Sequence, residues 1–170
     1  MRSGAPAFAM IAVIWSVLAA ACGSSSTPTE PAASDPLSLT GQISPAAIQP
    51  RGAAVVTFTL TNVSTRAVTV AFPSSCHVLP YVRERLTQRL VHPSGGGYGC
   101  ATIVSSVTLE PGHSILQTVQ IVSTGRGVTS ALASIVDLLP GDYTVYAEAA
   151  GSVDGRPVSL RSDALQFSVQ

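Results

Sequence analysis

From residue 37 onward, apolar and polar side chains alternate with a period of two, the spacing of strands that bury one face. Leu37, Leu39 and Ile43 mark a first strand, ended by Pro45 and Pro50. In AVVTFTLTN (54–62), Val56, Phe58 and Leu60 alternate with Thr57, Thr59 and Thr61, so one face is apolar and the other carries hydroxyls. Asn62-Val63-Ser64-Thr65-Arg66 reads as a turn, and Val68, Val70 and Phe72 lie on one face of the strand that follows. The two strands and their short connection predict a hairpin.

The alternation continues toward the C-terminus. CHVLPYVRERLTQRLVH (76–92) is less regular and predicts two short strands, followed by a SGGGYG loop (94–99). Ile103, Val107 and Leu109 open a strand that stops at Pro111-Gly112, where proline presets φ and glycine accepts a positive φ, as a type II turn needs. SILQTVQIV (114–122) comes next. Pro140-Gly141 repeats the turn chemistry before DYTVYAEA, with Tyr143, Val145 and Ala147 on one side. A last strand turns Leu165, Phe167 and Val169 inward, whereas 123–139 predicts only a helical turn or a long loop. No helical stripe interrupts this pattern, so the expected fold is all-β, an antiparallel β-sandwich of seven to nine strands.

The first residues follow another logic. Arg2 and the free amine precede an apolar run, AFAMIAVIWSVL (7–18), and then Ala19-Ala20-Ala21-Cys22. That run suits a signal peptide and is short for a spanning helix. The small residues before Cys22 resemble the lipobox of bacterial lipoproteins, although the favoured leucine, Leu18, sits four positions before the cysteine rather than three. The resemblance implies cleavage before Cys22, acylation of its thiol and anchorage on the outer side of a membrane of the cell envelope. Residues 23–36, GSSSTPTEPAASDP, cannot build a core and read as an extended tether of up to roughly 45 Å. The expected organisation is a signal peptide over 1–21, the lipidated cysteine with its linker over 22–36, and one folded domain over 37–170.

Charge removes several function classes. The chain balances nine basic residues, all arginine, against nine acids. Without a basic face there is no reading as a nucleic-acid binder. Without lysine there is no Schiff base, no S-x-x-K pair and no P-loop. His77, His92 and His113 stand far apart in sequence with no metal-ligand spacing, and the glycine run lacks the G-x-G-x-x-G pattern. No cofactor, metal site or catalytic group is expected. The histidines read as surface or strand-end residues.

With Cys22 assigned to lipid, Cys76 and Cys100 remain as an even pair in an exported domain, and they predict a disulfide. The bridge closes a loop holding Pro80, Pro93 and four glycines, a segment expected to lack regular structure that would hold it shut. His77 follows Cys76 directly, so on a strand it points to the opposite face and cannot serve it as a base. Arg83 and Arg85, with Arg89, form a charged cluster inside the loop. They read as a solvated strand face or, on a braced loop, as partner-contact residues.

Taken in order, VTFTLTNVSTRAVTVAF, VTLEPGHS and LLPGDYTVYAEA resemble the bacterial intracellular proteinase inhibitor family of BsuPI type, over about residues 54–169. The resemblance implies an immunoglobulin-like sandwich. The chain departs from that family in its leader and its cysteine pair. Three functions follow as expectations. The first is a membrane-tethered, non-catalytic interaction module for a protein or glycan. The second is a proteinase inhibitor acting outside the cytoplasm. The third is an enzyme with an unrecognised site.

Overall fold

A computed structural model describes residues 35–124 and 135–170. The expected leader, Cys22 and nearly all of the linker lie outside these residues, as does most of the irregular stretch between 123 and 139. Among the described residues the chain is all-β. The strands are β1 (Leu37–Ser44), β2 (Ala47–Ile48), β3 (Ala53–Asn62), β4 (Val68–Phe72), β5 (Leu79–Glu84) and β6 (Leu90–His92). They continue with β7 (Ser105–Leu109), β8 (Ser114–Val122), β9 (Ile135–Asp137), β10 (Gly141–Val153), β11 (Arg156–Arg161) and β12 (Leu165–Val169). The glycine run forms a short 3-10 turn, Ser94–Gly96, between β6 and β7.

Two sheets face each other. The first has the order β1-β3-β8-β9. The second runs β2-β12-β10-β4-β7, with β11 and β5 also paired to β10, and β6 paired to β5. β10 is long enough to change partners. Its first half pairs with β12 and β5, and its second half with β11 and, at Ser152 and Val153, with β4. The change is packed tightly, because a Cβ on Gly151 would lie 2.6 Å from the carbonyl oxygen of Ala71. The sandwich is not wholly antiparallel, since β12 with β2 and β8 with β9 run parallel.

The alternation seen in the sequence places the core. Val56, Phe58 and Leu60 of the first sheet meet Val70, Phe72, Val145 and Phe167 of the second, all buried. Each such side chain contributes about 1.5–3 kcal/mol by leaving water. Pro111-Gly112 turns as expected: Gly112 has φ +76° and His113 N donates to Glu110 O at 2.9 Å. Tyr143 sends its hydroxyl back to Leu139 O at 2.9 Å, the tyrosine corner of immunoglobulin-like sandwiches.

Several expectations are corrected. β3 and β4 do not form a hairpin, because β3 pairs with β1 and β8 while β4 pairs with β10 and β7. Their connection is an arch between sheets, built on Asn62, which is wholly buried. Asn62 Nδ2 donates to Arg66 O at 2.7 Å and Leu109 O at 2.8 Å, while Oδ1 accepts from Ser64 N at 2.9 Å. Those bonds satisfy the amide inside the core, which is why the chain can cross there rather than reverse. Pro140-Gly141 makes no second type II turn, since Gly141 already pairs with Val169 as the first residue of β10. Within 123–139, the described part includes β9, held by Asp137, whose carboxylate accepts from Thr124 N at 2.9 Å.

Candidate functional site

The chemistry singled out in the sequence gathers on the segment between Cys76 and Cys100. The two cysteines are joined, with Cα atoms 5.7 Å apart. The loop they close holds the two short strands expected of 76–92. β5 pairs with β10 from Leu79 to Glu84, and β6 pairs back on β5. What is corrected is the expectation that no regular structure holds the loop shut, since the pairing of β5 with β10 and β6 does so and the prolines and glycines do not interrupt it. Pro80 instead sits within β5, and the glycines fall after β6.

Three tyrosines pack the outer side of this hairpin. Tyr81 of β5 stacks on Tyr146 of β10 at 5.4 Å, and Tyr98 meets Tyr81 edge-on at 5.7 Å. The Arg161 guanidinium lies 3.8 Å above the Tyr146 ring, and the Tyr98 hydroxyl donates to Pro80 O. Burial raises the pKa of Tyr81 and Tyr98, so both stay neutral hydrogen-bond donors.

The arginine cluster divides in role. Arg83 donates through Nε to the Tyr146 hydroxyl at 3.2 Å and through Nη1 to Gln88 O at 2.8 Å. Arg89 lies 3.5 Å from the Glu84 carboxylate, and the Thr87 hydroxyl also donates to that carboxylate. Those donors, the Thr87 bond first, hold the Glu84 pKa below its ordinary value. Of these three, only Arg85 presents a guanidinium with no partner among the described residues. Beside it Leu86 is 93% exposed at the hairpin tip, where Gln88 N donates to Glu84 O at 2.9 Å. The tip is therefore a closed turn.

The histidines separate as well. His77 stacks on Phe72 at 4.2 Å and shares a hydrogen bond with Ser105 Oγ at 2.9 Å. His92 stands at a strand end, the last residue of β6, but it is buried rather than on the surface. It is 1% exposed, its Nδ1 has no partner among the described residues, and burial lowers its pKa. With Tyr98, Pro80 and Leu116 it lines a cleft of about 400 Å³ beside the disulfide. Among the described residues no group of three or more His, Cys, Asp and Glu side chains could hold a metal ion.

The segment after Cys100 corrects the expectation that Ile103 opens a strand. Residues 101–104, Ala-Thr-Ile-Val, carry strand-forming side chains, but the paired strand starts only at Ser105. The four are exposed, with Ile103 at 64% and Val104 at 76%, and Ile103 N donates back to Ala101 O at 2.8 Å, a tight turn centred on Thr102. Ser75 N donates to Ala101 O and Ala101 N to Ser75 Oγ, both at 3.0 Å.

The family described as intracellular proteinase inhibitor (BsuPI) matches residues 42–153. None of the curated proteins compared matches this chain. Similar solved structures include the CARDB domain of a Pyrococcus furiosus protein in complex with di-metal ions, 16% identical, covering 80% of this chain and 90% of that one, with a TM-score of 0.42. A β-glucosidase from Erythrobacter marinus is 16% identical and covers 79% of this chain and 15% of its own, with a TM-score of 0.39. An alkylpurine DNA glycosylase from Pseudomonas fluorescens is 13% identical over 79% of this chain and 30% of its own, with a TM-score of 0.40. The chain thus spans less than a third of the length of either enzyme.

Proposed function

The chain belongs to the intracellular proteinase inhibitor family, BsuPI, and from that premise we propose that it is a non-catalytic binding module whose partner is a proteinase, tethered to a bacterial membrane through a lipidated Cys22. The observation that carries this reading is the cystine-braced segment, which presents exposed backbone and side chains on a rigid base. A loop already held in its bound shape loses little conformational entropy on docking, so more of its contact energy appears as affinity. The leader ending in Cys22 and the disulfide both suit an oxidising compartment outside the cytoplasm, in contrast to the family's name. The wider reading, a tethered module for some other protein or a glycan, keeps the anchor and the absence of catalysis but names no partner.

The test uses the full chain, purified in detergent from the envelope and mixed with proteinases of several specificities. Formation of a stable complex with loss of proteolysis supports the inhibitor reading. Binding without inhibition, or no binding to any of them, returns the chain to the wider one. Cell fractionation of Cys22→Ala tests the tether, since an unlipidated protein leaves the membrane fraction.

A further inference from the structure

We infer that β1 pairs with β1 of a second copy of this chain, antiparallel, so that two sandwiches join through one continuous sheet. The inference goes beyond the inhibitor reading and does not depend on it.

The outer edge of β1 is open. β1 pairs with β3 from Leu37–Asn62 to Ser44–Val55 and with no other strand among the described residues. In an antiparallel ladder, alternate residues turn both main-chain groups to the same neighbour. Val63 N donates to Pro36 O at 2.9 Å, one step beyond the Leu37–Asn62 pair, so Ser38, Thr40, Gln42 and Ser44 are the residues turned to β3. The far side of β3 agrees. Asn62 N donates to His113 O at 3.0 Å and Ser123 N to Gly52 O at 3.1 Å, which turns the even residues of β3 to β8 and leaves the odd ones for β1. The N–H and C=O groups of Leu37, Leu39, Gly41 and Ile43 therefore point outward, with no partner among the described residues.

Nothing blunts that edge. Sheets guard an open edge with charge, proline, a bulge or shortness. β1 is eight residues, LSLTGQIS, with no charge and no proline, and its register on β3 is unbroken. Other strands with a single neighbour differ. β11 carries Arg156, Pro157 and Arg161, and β2, β6 and β9 have only two or three residues. β7 is uncharged but has five.

Symmetry argues for a second copy as the occupant. About a two-fold axis at Thr40, Leu37 faces Ile43 of the second copy and Leu39 faces Gly41, so all four open residues of each chain are used. Moving the axis to Gly41 sets Leu37 against Pro45, which has no N–H, and moving it to Leu39 sets Ile43 against Asp35, outside the strand. At the Thr40 axis, Thr40 meets Thr40 and Ser38 meets Gln42 on the outer face, pairs that exchange hydrogen bonds. No facing pair is charged, so none repels. Such pairing uses both edges and closes at two chains, which keeps an unguarded strand from recruiting more. A foreign strand would make the same backbone bonds, but the short, neutral Ser38, Thr40 and Gln42 give nothing that selects it.

The experiment uses the full chain in detergent. On the axis, Thr40 lies in a non-hydrogen-bonded pair with Cα atoms about 4.5 Å apart, within the roughly 4.4–6.8 Å that a disulfide spans. Diamide should therefore link Thr40→Cys into a covalent dimer at least about 10-fold more than Thr118→Cys, exposed on the same face two strands away. Sedimentation should show the native chain as a dimer. Thr40→Asp or Thr40→Lys alone should weaken it by at least about 10-fold, by setting like charges opposite each other. Mixing those two variants should restore it, and circular dichroism checks that each is folded. A monomeric native chain, equal cross-linking at 40 and 118, or a dimer indifferent to the charged variants would overturn the assignment.

Discussion

Asn62 Nδ2 donates a hydrogen bond to the carbonyl of Leu109 at 2.8 Å, and that bond joins the end of β3 in one sheet to the end of β7 in the other. The same amide holds Arg66 O and Ser64 N, so a single buried side chain shapes the arch between the two layers. Gly112 N donates to Asn62 O at 2.9 Å, which brings the Pro111-Gly112 turn onto the same point.

Asn62→Ala leaves the Leu109 carbonyl and the arch amides without partners in a dry place. An unsatisfied buried polar group costs about 1–3 kcal/mol, so the variant should lose roughly 3 kcal/mol in urea unfolding. Ser64→Ala removes only a partly exposed hydroxyl and should lose less than about 1 kcal/mol. Equal losses in the two variants would contradict the role given to Asn62.

The Cys76→Ser, Cys100→Ser double variant should lose about 2–4 kcal/mol, mainly because its unfolded chain is freer. It should still fold, since β5 remains paired with β10 over six residues. Near-native circular dichroism with a lowered urea midpoint is the expected result. Complete unfolding would mean that the bridge, not the strand pairing, organises the segment.

His92 gives the domain a pH dependence of definite sign. Burial holds its folded pKa below its ordinary value, so the unfolded chain binds a proton more readily. Stability is therefore full above the unfolded value of about 6.5 and declines as pH falls below it. Urea midpoints measured from pH 7.5 down to pH 5 should drop for the native protein and drop less for His92→Phe. Parallel curves would place the titration elsewhere.

What the sequence made legible, and what it hid, follows from how local each cause is. The inward faces of β3, β4, β10 and β12 depend only on alternation, and Phe58, Phe72, Val145 and Phe167 are buried as that pattern requires. The Cys76–Cys100 bridge was legible from counting cysteines, since the two remain as an even pair once Cys22 is set aside. Pairing is a different matter. Whether Thr61-Asn62 leads to a reversal or to a crossing depends on a carbonyl 47 residues away, and nothing local encodes it. His92 does end a strand, but its burial was not legible because it comes from Tyr98 and from the cleft walls, brought in by tertiary structure. The expectation that Ile103 opens a strand fails for the opposite reason. The β-branched residues of 101–104 have strand propensity, but the paired strand begins only after them.

Tyr143→Phe tests whether the corner at the start of β10 is structural or incidental. The hydroxyl is the only group removed, and the ring keeps its stack on Phe167 at 5.5 Å. The lost bond to Leu139 O is partly buried and ties the end of the β9 connection to the first turn of β10. Leu138 N is separately held by Val122 O at 2.9 Å, so the connection keeps a second attachment. The cost should therefore be that of one hydrogen bond with a neighbour still in place, about 0.5–1.5 kcal/mol. Tyr143→Ala loses the buried ring too, and should cost about 3–5 kcal/mol, the range for removing a large aromatic side chain from a core. Hydrogen exchange should place the effect of Tyr143→Phe at 138–142, leaving the protection of β3 and β8 unchanged. An effect of Tyr143→Phe spread evenly over both sheets would mean that the hydroxyl acts on the whole sandwich rather than on the corner.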